Sequence, residues 1–166
     1  AAQGRKYNPE SYDHIVFSYH GLPNRHLEKS HPGITVQQCS CPISMPEYGH
    51  HCYRATCYAT SRLLAKELGL TPENYSVAFQ SRLDNKWMEP FTDEVLLAKL
   101  KERKKRILVF APAFVTDCLE TIIEIGDEYK AEFLKKGGEK LQLVESLNAQ
   151  PAWIDTMSDL ILHALN

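Results

Sequence analysis

The sequence predicts an α/β fold: a four-stranded parallel sheet with helices on both faces. Four short runs rich in β-branched and aromatic residues, 15–17, 75–79, 107–110 and 141–144, have the composition of buried strands. Each is followed by a segment of helical periodicity. Strand and helix alternating four times is the pattern of a parallel sheet covered on both sides. At 166 residues, 43% of them hydrophobic and 24% charged, the whole chain 1–166 has the size of one ordinary domain with its own core.

The opening stretch 1–12 is polar and has no starting methionine, as expected of a piece of a longer polypeptide. The strand at 15–17 runs into Ser18-Tyr19-His20-Gly21-Leu22-Pro23. Residues 24–51 read as irregular, a length of loop that a compact domain keeps for function or disorder. A helix is expected over 53–68, stopped by Gly69; a second over 93–104, opened by Thr92 and Asp93; a third over 117–136, closed by Gly137-Gly138; and a fourth over 152–164, with Pro151 at its start.

Several function classes fall away. A net charge of −2 with a single basic run at 101–106 leaves no footprint for nucleic acid, and cations at a helix end are favourable without any ligand. No apolar stretch approaches the ~20 residues that span a bilayer, and no signal-peptide core is present, so the chain reads as cytoplasmic. Neither a Gly-x-Gly-x-x-Gly turn nor a phosphate loop follows a strand, so the alternation does not imply a nucleotide. A Gly-x-Ser-x-Gly elbow is also missing.

The chemistry-bearing residues gather at one end of the expected sheet. His20 follows the first strand and Asp117-Cys118-Leu119-Glu120-Thr121 follows the third, so an imidazole and carboxylates meet where open α/β sheets bind ligands. Asp117, Glu120, Glu124 and Glu128 are spaced three, four and four apart, which on an α-helix makes one stripe. A solvated face explains such a stripe, yet it lacks lysines at i+4. Like charges there repel by a few tenths of a kcal/mol per pair, which a metal ion or bound protons would offset.

Four of the five cysteines are also grouped. Cys39, Cys41, Cys52 and Cys57 form Cys-x-Cys, ten residues, then Cys-x₄-Cys. In a reducing compartment such a group favours a metal site over disulfides, although four ordinary thiols give the same pattern. On one continuous helix, residues 52 and 57 would lie ~140° apart, so both can ligate one centre only if the helix begins after Cys52.

Five blocks occur in a fixed order: Ser-Tyr-His-Gly-Leu-Pro at 18–23, Phe79-Gln80-Ser81-Arg82, Trp87 followed by Pro90-Phe91-Thr92-Asp93-Glu94, Asp117-Cys118-Leu119-Glu120-Thr121 and Glu145-Ser146-Leu147-Asn148. In these the chain resembles the C-terminal half of the ferrochelatase family. The resemblance implies a chelatase-like, Rossmann-like topology without a nucleotide loop, and insertion of Fe²⁺ into protoporphyrin IX to form haem. It also implies a missing N-terminal domain across the porphyrin cleft, and a peripheral membrane contact where a greasy substrate is handed over.

By position in the motifs, His20 and Glu120 match the family's catalytic pair. His20, Glu120, Glu124 and Glu128 match the residues that meet the metal, and Trp87 and Ser18 those placed against the porphyrin. The cysteines are then read as ligands of a [2Fe–2S] cluster, with zinc as the alternative. Two departures stand out: the cysteine-bearing stretch replaces a Gly-Asp-Pro-Tyr segment common in the family, and Cys118 occupies a position where many members have histidine. Two other functions fit the same residues, a chelatase for another tetrapyrrole or metal and a non-catalytic metal or iron–sulfur binding module.

Overall fold

The computed structural model describes residues 1–30 and 33–164; 31 and 32, inside the expected loop 24–51, and 165 and 166 lie outside it. A short helix α1 (Ala2–Arg5) and a 3₁₀ turn (Pro9–Ser11) precede the sheet. Strands β1 (His14–His20), β2 (Tyr75–Gln80), β3 (Arg106–Phe110) and β4 (Lys140–Leu143) are all parallel, in the order β2-β1-β3-β4.

Alternation along β1 feeds two cores. Ile15, Phe17 and Tyr19 join Val77, Phe79, Leu108 and Phe110 on one face, whereas Val16 joins Ala78, Ile107 and Val109 on the other. The first face is covered by α3 (Tyr53–Glu67) through Ala55, Cys57 and Ala65, together with Leu27 of the short α2 (Asn24–Glu28). The second is covered by Leu96 of α4 (Thr92–Lys101), Ile125 of a π-helical segment (Glu120–Tyr129) and Phe133 of α5 (Lys130–Lys135). Fully burying one such large apolar side chain is worth roughly 1.5–3 kcal/mol, so the two layers hold the sheet from both sides.

Gly69 at φ +68° and Gly137 at φ +101° end α3 and α5, where a left-handed backbone is needed and a side chain would be strained. From β1 the chain crosses to one neighbour, β2, and later returns to the other, β3. The carboxyl end of β1 therefore lies at the point where the connections diverge, which is where ligands bind in open sheets.

Three expectations are corrected. The strand 15–17 extends to His14–His20, because the polar side chains that interrupt its apolar run are paired: His14 Nε2 lies 2.9 Å from Ser76 Oγ, and Ser18 is bonded to Gln80. The helix 117–136 does not exist as one α-helix. Asp117 lies before it, and residues 120–129 are π-helical, with i→i+5 bonding that breaks the α-helical stripe of carboxylates. The fourth helix, α6 (Pro151–Ala164), forms as expected with Pro151 at its first position but covers nothing: none of its residues is buried. No described helix is long and apolar enough to cross a membrane.

Candidate active site

The site begins at the parallel register that sets His20 opposite Gln80. Beyond it Gly21 donates its N–H to the Gln80 carbonyl at 2.9 Å, and a Cβ at Gly21 would stand 3.1 Å from that oxygen and 3.5 Å from the Trp87 ring. Glycine thus lets two strand ends and an indole close together. The next residues zip against the Trp87 loop: Met88 N–H donates to Leu22 at 3.0 Å and Asn24 N–H to Lys86 at 2.8 Å, with Pro23 and Trp87 bridged antiparallel. This brings the Trp87 ring centroid to 6.2 Å from the His20 imidazole, while Phe114 lies 6.3 Å away. A cleft of about 510 Å³ lined by Pro23, Asn24, Lys86 and Trp87 opens beside them, within the size range of ligand sites. A cavity of about 550 Å³ at the opposite end of the strands, beside Tyr12, Asp13 and Asn74, touches none of these residues.

His20 is half-buried and oriented. Its Nδ1 lies 2.6 Å from the Gly21 carbonyl, which can only accept, so Nδ1 carries the proton and the neutral ring keeps its lone pair on Nε2. Tyr53 OH donates to the His20 carbonyl at 3.0 Å, anchoring the end of β1 to α3.

Glu120 is partly exposed at the start of the π-helical segment. Its carboxyl is held below the usual range first by a hydrogen bond from its own backbone N–H and then by the Cys118 thiol; slight desolvation opposes this and His20 adds to it.

Glu124 is pinned. It accepts from Ser81 N–H at 2.7 Å, Ser81 Oγ at 2.6 Å, Gln80 Nε2 at 3.1 Å and Tyr129 OH at 2.5 Å. Ser81 sits at φ +63°, a left-handed conformation that both of its bonds to Glu124 help to hold. Burial, followed by this hydrogen bond to Glu124, pushes the Tyr129 hydroxyl well above its ordinary range. Glu128 is exposed further along, and Asp117 is turned away to Asn148. Of the expected row, Glu120 is the member whose carboxyl is influenced by His20. Among the described residues no three His, Cys, Asp or Glu side chains form a group that could hold a metal ion.

Ser18 was expected against the porphyrin and is instead fully buried. Its hydroxyl donates to Gln80 Oε1 at 2.8 Å and lies 2.8 Å from Thr92 Oγ1, so it acts inside the fold. Sequence reasoning missed Gln80, Ser81, Tyr129 and Phe114 as members of this site. The signal for Gln80 was present: an amide closing an apolar strand must find buried partners.

The cysteine stretch folds beside α3. Cys39, Cys41, Cys52 and Cys57 are all buried and all free thiols, packed with Tyr53 and Tyr58. Tyr48 OH lies 3.7 Å from Cys39 Sγ and Arg54 Nη1 3.2 Å from Cys41 Sγ. Burial pushes the Cys41 thiol up to about 12, with Arg54 opposing and Cys39 and Cys52 adding to the rise; burial does the same to Cys57, also to about 12, with Cys52 and Cys41 adding. Cys41 thus feels Cys39 and Cys52, and Cys57 feels Cys52 and Cys41, but among the described residues the four do not form a group placed to hold a metal ion. α3 begins at Tyr53, and Cys52 is extended at φ −100° and ψ 115°, so the condition that the helix start after Cys52 is met.

A family model described as Ferrochelatase matches residues 1–165. A ferrochelatase of Pseudomonas fluorescens biotype C is 43% identical over 162 residues, covering 96% of this chain and 48% of that protein. One from Coxiella burnetii strain Dugway 5J108-111 is 46% identical over 158 residues, covering 92% and 44% respectively. This chain thus spans about half the length of the curated relatives it matches. Among solved structures, a putative cobalamin (vitamin B12) biosynthesis CbiX protein from Marinobacter aquaeolei VT8 superposes with a TM-score of 0.52 at 14% identity, covering 92% of this chain and 96% of that one, which shows a shared fold. With a strand-end histidine beside a carboxylate on such a fold, and a family model matched along almost its whole length, this chain belongs to the ferrochelatase family.

Proposed function

We propose that this chain is the C-terminal half of an enzyme that inserts Fe²⁺ into protoporphyrin IX, giving haem. The observation that carries the reading is His20: an oriented imidazole with Nε2 free, beside an ionised Glu120 and flanked by Trp87 and Phe114. Metallation removes two pyrrole protons and strips water from the arriving iron. Nε2, left with its lone pair by the bond at Nδ1, is suited to accept a proton, and Glu120 to pass it on or to meet the metal. The two aromatic rings suit the face of a flat apolar macrocycle.

The remaining partners follow from the same reading. The order of the five motif blocks and the doubled length of the relatives support an N-terminal half across the cleft, and the uncovered apolar face of α6 supplies a surface for it. An apolar substrate of this kind is received at a membrane surface by peripheral contact. Cys39, Cys41, Cys52 and Cys57 would hold a [2Fe–2S] cluster in preference to zinc, with Arg54 beside Cys41 suiting an anionic centre, but only if the thiols lose their protons and draw together from positions that do not form a metal-holding group.

The test is anaerobic insertion of Fe²⁺ into protoporphyrin by the full-length polypeptide, followed by absorbance, with and without His20→Ala. The expected loss of kcat is roughly 10²–10⁴-fold with the fold intact. Wild-type activity in the variant would move the proton acceptor elsewhere, and faster insertion of another divalent metal would make the protein a different tetrapyrrole chelatase.

A further inference from the structure

We infer that Gln80 is a positioning residue that sets where Glu120 stands relative to His20. This rests on the function proposed above. Gln80 closes β2 with 1% of its surface exposed, and both ends of its amide are engaged. Oε1 accepts from Ser18 Oγ at 2.8 Å; Nε2 donates to the Glu120 carbonyl at 2.6 Å and to Glu124 Oε2 at 3.1 Å. The orientation of the amide is settled by its partners. A carbonyl and a carboxylate can only accept, so the nitrogen must face the π-helical segment and the oxygen must face β1.

The direction of the whole relay follows. Ser18 spends its single proton on Gln80, so Thr92 Oγ1, 2.8 Å away, must donate to Ser18. The chain of donors runs Thr92, Ser18, Gln80 and ends on the Glu120 carbonyl, which accepts. Ser18 lies two residues before His20 on β1, so one amide joins the strand that carries the imidazole to the residue that carries the carboxylate. Ser81, the next residue, holds Glu124 through its N–H and its hydroxyl. The end of β2 therefore grips the first turns of the helix at two successive residues. In this arrangement the Glu124 carboxylate is the far jaw of the grip, occupied by four donors, while the Glu120 carboxylate lies outside it.

The experiment uses the full-length polypeptide with Gln80→Met, which keeps the volume and removes both hydrogen-bonding ends, and with Ser18→Ala, which removes only the group that orients the amide. Folding is checked by circular dichroism and the unfolding midpoint. Gln80→Met is expected to lower kcat 10- to 100-fold with KM within about threefold, since a displacement near 1 Å can cost that much. It is also expected to shift the acid limb of the kcat–pH profile, and Ser18→Ala is expected to do both to a smaller degree. A folded variant with wild-type kcat and profile overturns the inference; if Gln80→Met fails to fold, Ser18→Ala decides by the same criteria. The imidazole NMR signals of His20 give a readout independent of turnover. If the wild-type polypeptide inserts no iron, the proposed function fails, and unmoved His20 signals in both variants overturn the positioning role separately.

Discussion

Asp117 and Asn148 hold each other twice: Asn148 Nδ2 donates to Asp117 Oδ2 at 2.8 Å, and the Asp117 backbone N–H donates to Asn148 Oδ1 at 2.9 Å. Ser146 N–H adds a third bond to Asp117 Oδ1 at 3.1 Å. The pair ties the loop after β4 to the residues that lead into Glu120, with Asn148 at φ +48°. Burial alone would raise the Asp117 carboxyl, but the hydrogen bonds from Asn148 and Ser146 outweigh it and hold it low.

Asp117→Ala is expected to lower stability by roughly 1 kcal/mol, allowing for solvent screening at this partly exposed carboxylate, read as a shifted denaturant midpoint at constant slope. Asn148→Ala should cost more than Asn148→Gly, because alanine loses the bonds and keeps the left-handed strain. The carboxyl is depressed in the folded state, so its contribution is complete above the unfolded value near pH 4 and fades as pH falls through the folded one.

His14 gives a second pH dependence. Burial, and then the charge of Lys99, depress its pKa to about 4. The unfolded chain takes up this proton near pH 6.5 and the folded one does not, so stability is full above about 6.5 and declines as the pH falls toward 4. In His14→Gln that part of the slope of stability against pH should vanish. An unchanged slope between pH 6.5 and 4 would show that other groups set it.

The apolar face of α6 is exposed at Ile154, Leu160 and Ile161. Replacing all three by serine should leave the unfolding free energy of residues 1–166 within about 0.5 kcal/mol per site, since no burial is lost. In the full-length polypeptide the same triple change should be clearly destabilising. Equal effects in both would mean that this face has no partner in the longer protein.

The cysteine group is tested by anaerobic reconstitution with iron and sulfide. Bound iron and acid-labile sulfide in equal amounts, lost in Cys41→Ala and Cys57→Ala, is the expected result. Stoichiometric zinc without sulfide would replace the cluster by the alternative centre. Uptake of neither would leave four packing thiols.

The sheet was legible because its strands are nearly pure apolar runs, and their parallel direction followed once helices intervened, whereas the order β2-β1-β3-β4 was not read from the sequence. The helix break at Cys52 was legible as a condition, from angular spacing alone. The π-helical segment was not, because a three-four-four spacing of acids fits an α-helix equally well. What decides there is tertiary: Glu124 is pulled to Ser81 and Gln80, residues far away in sequence. α6 misled for a related reason. Amphipathic periodicity says that a helix has an apolar face but not which surface covers it. At the site, the sequence placed His20 and Glu120 at one end of the sheet, whereas the full burial of Ser18 was not legible, because a hydroxyl in a strand gives no sign of which face it takes.

The bonds that join Ser18 to Gln80 and Gln80 to Glu124 close intervals of 62 and 44 residues. Each closure carries an entropic cost before any hydrogen bond rewards it, and parallel strands formed through crossovers are intrinsically slow to pair. The link from β1 through Gln80 to Glu124 is therefore a late event in folding, with no local fragment able to form it. After dilution from denaturant, helical signal should return first, and the iron-inserting activity proposed for the full-length polypeptide should return with the slowest refolding phase.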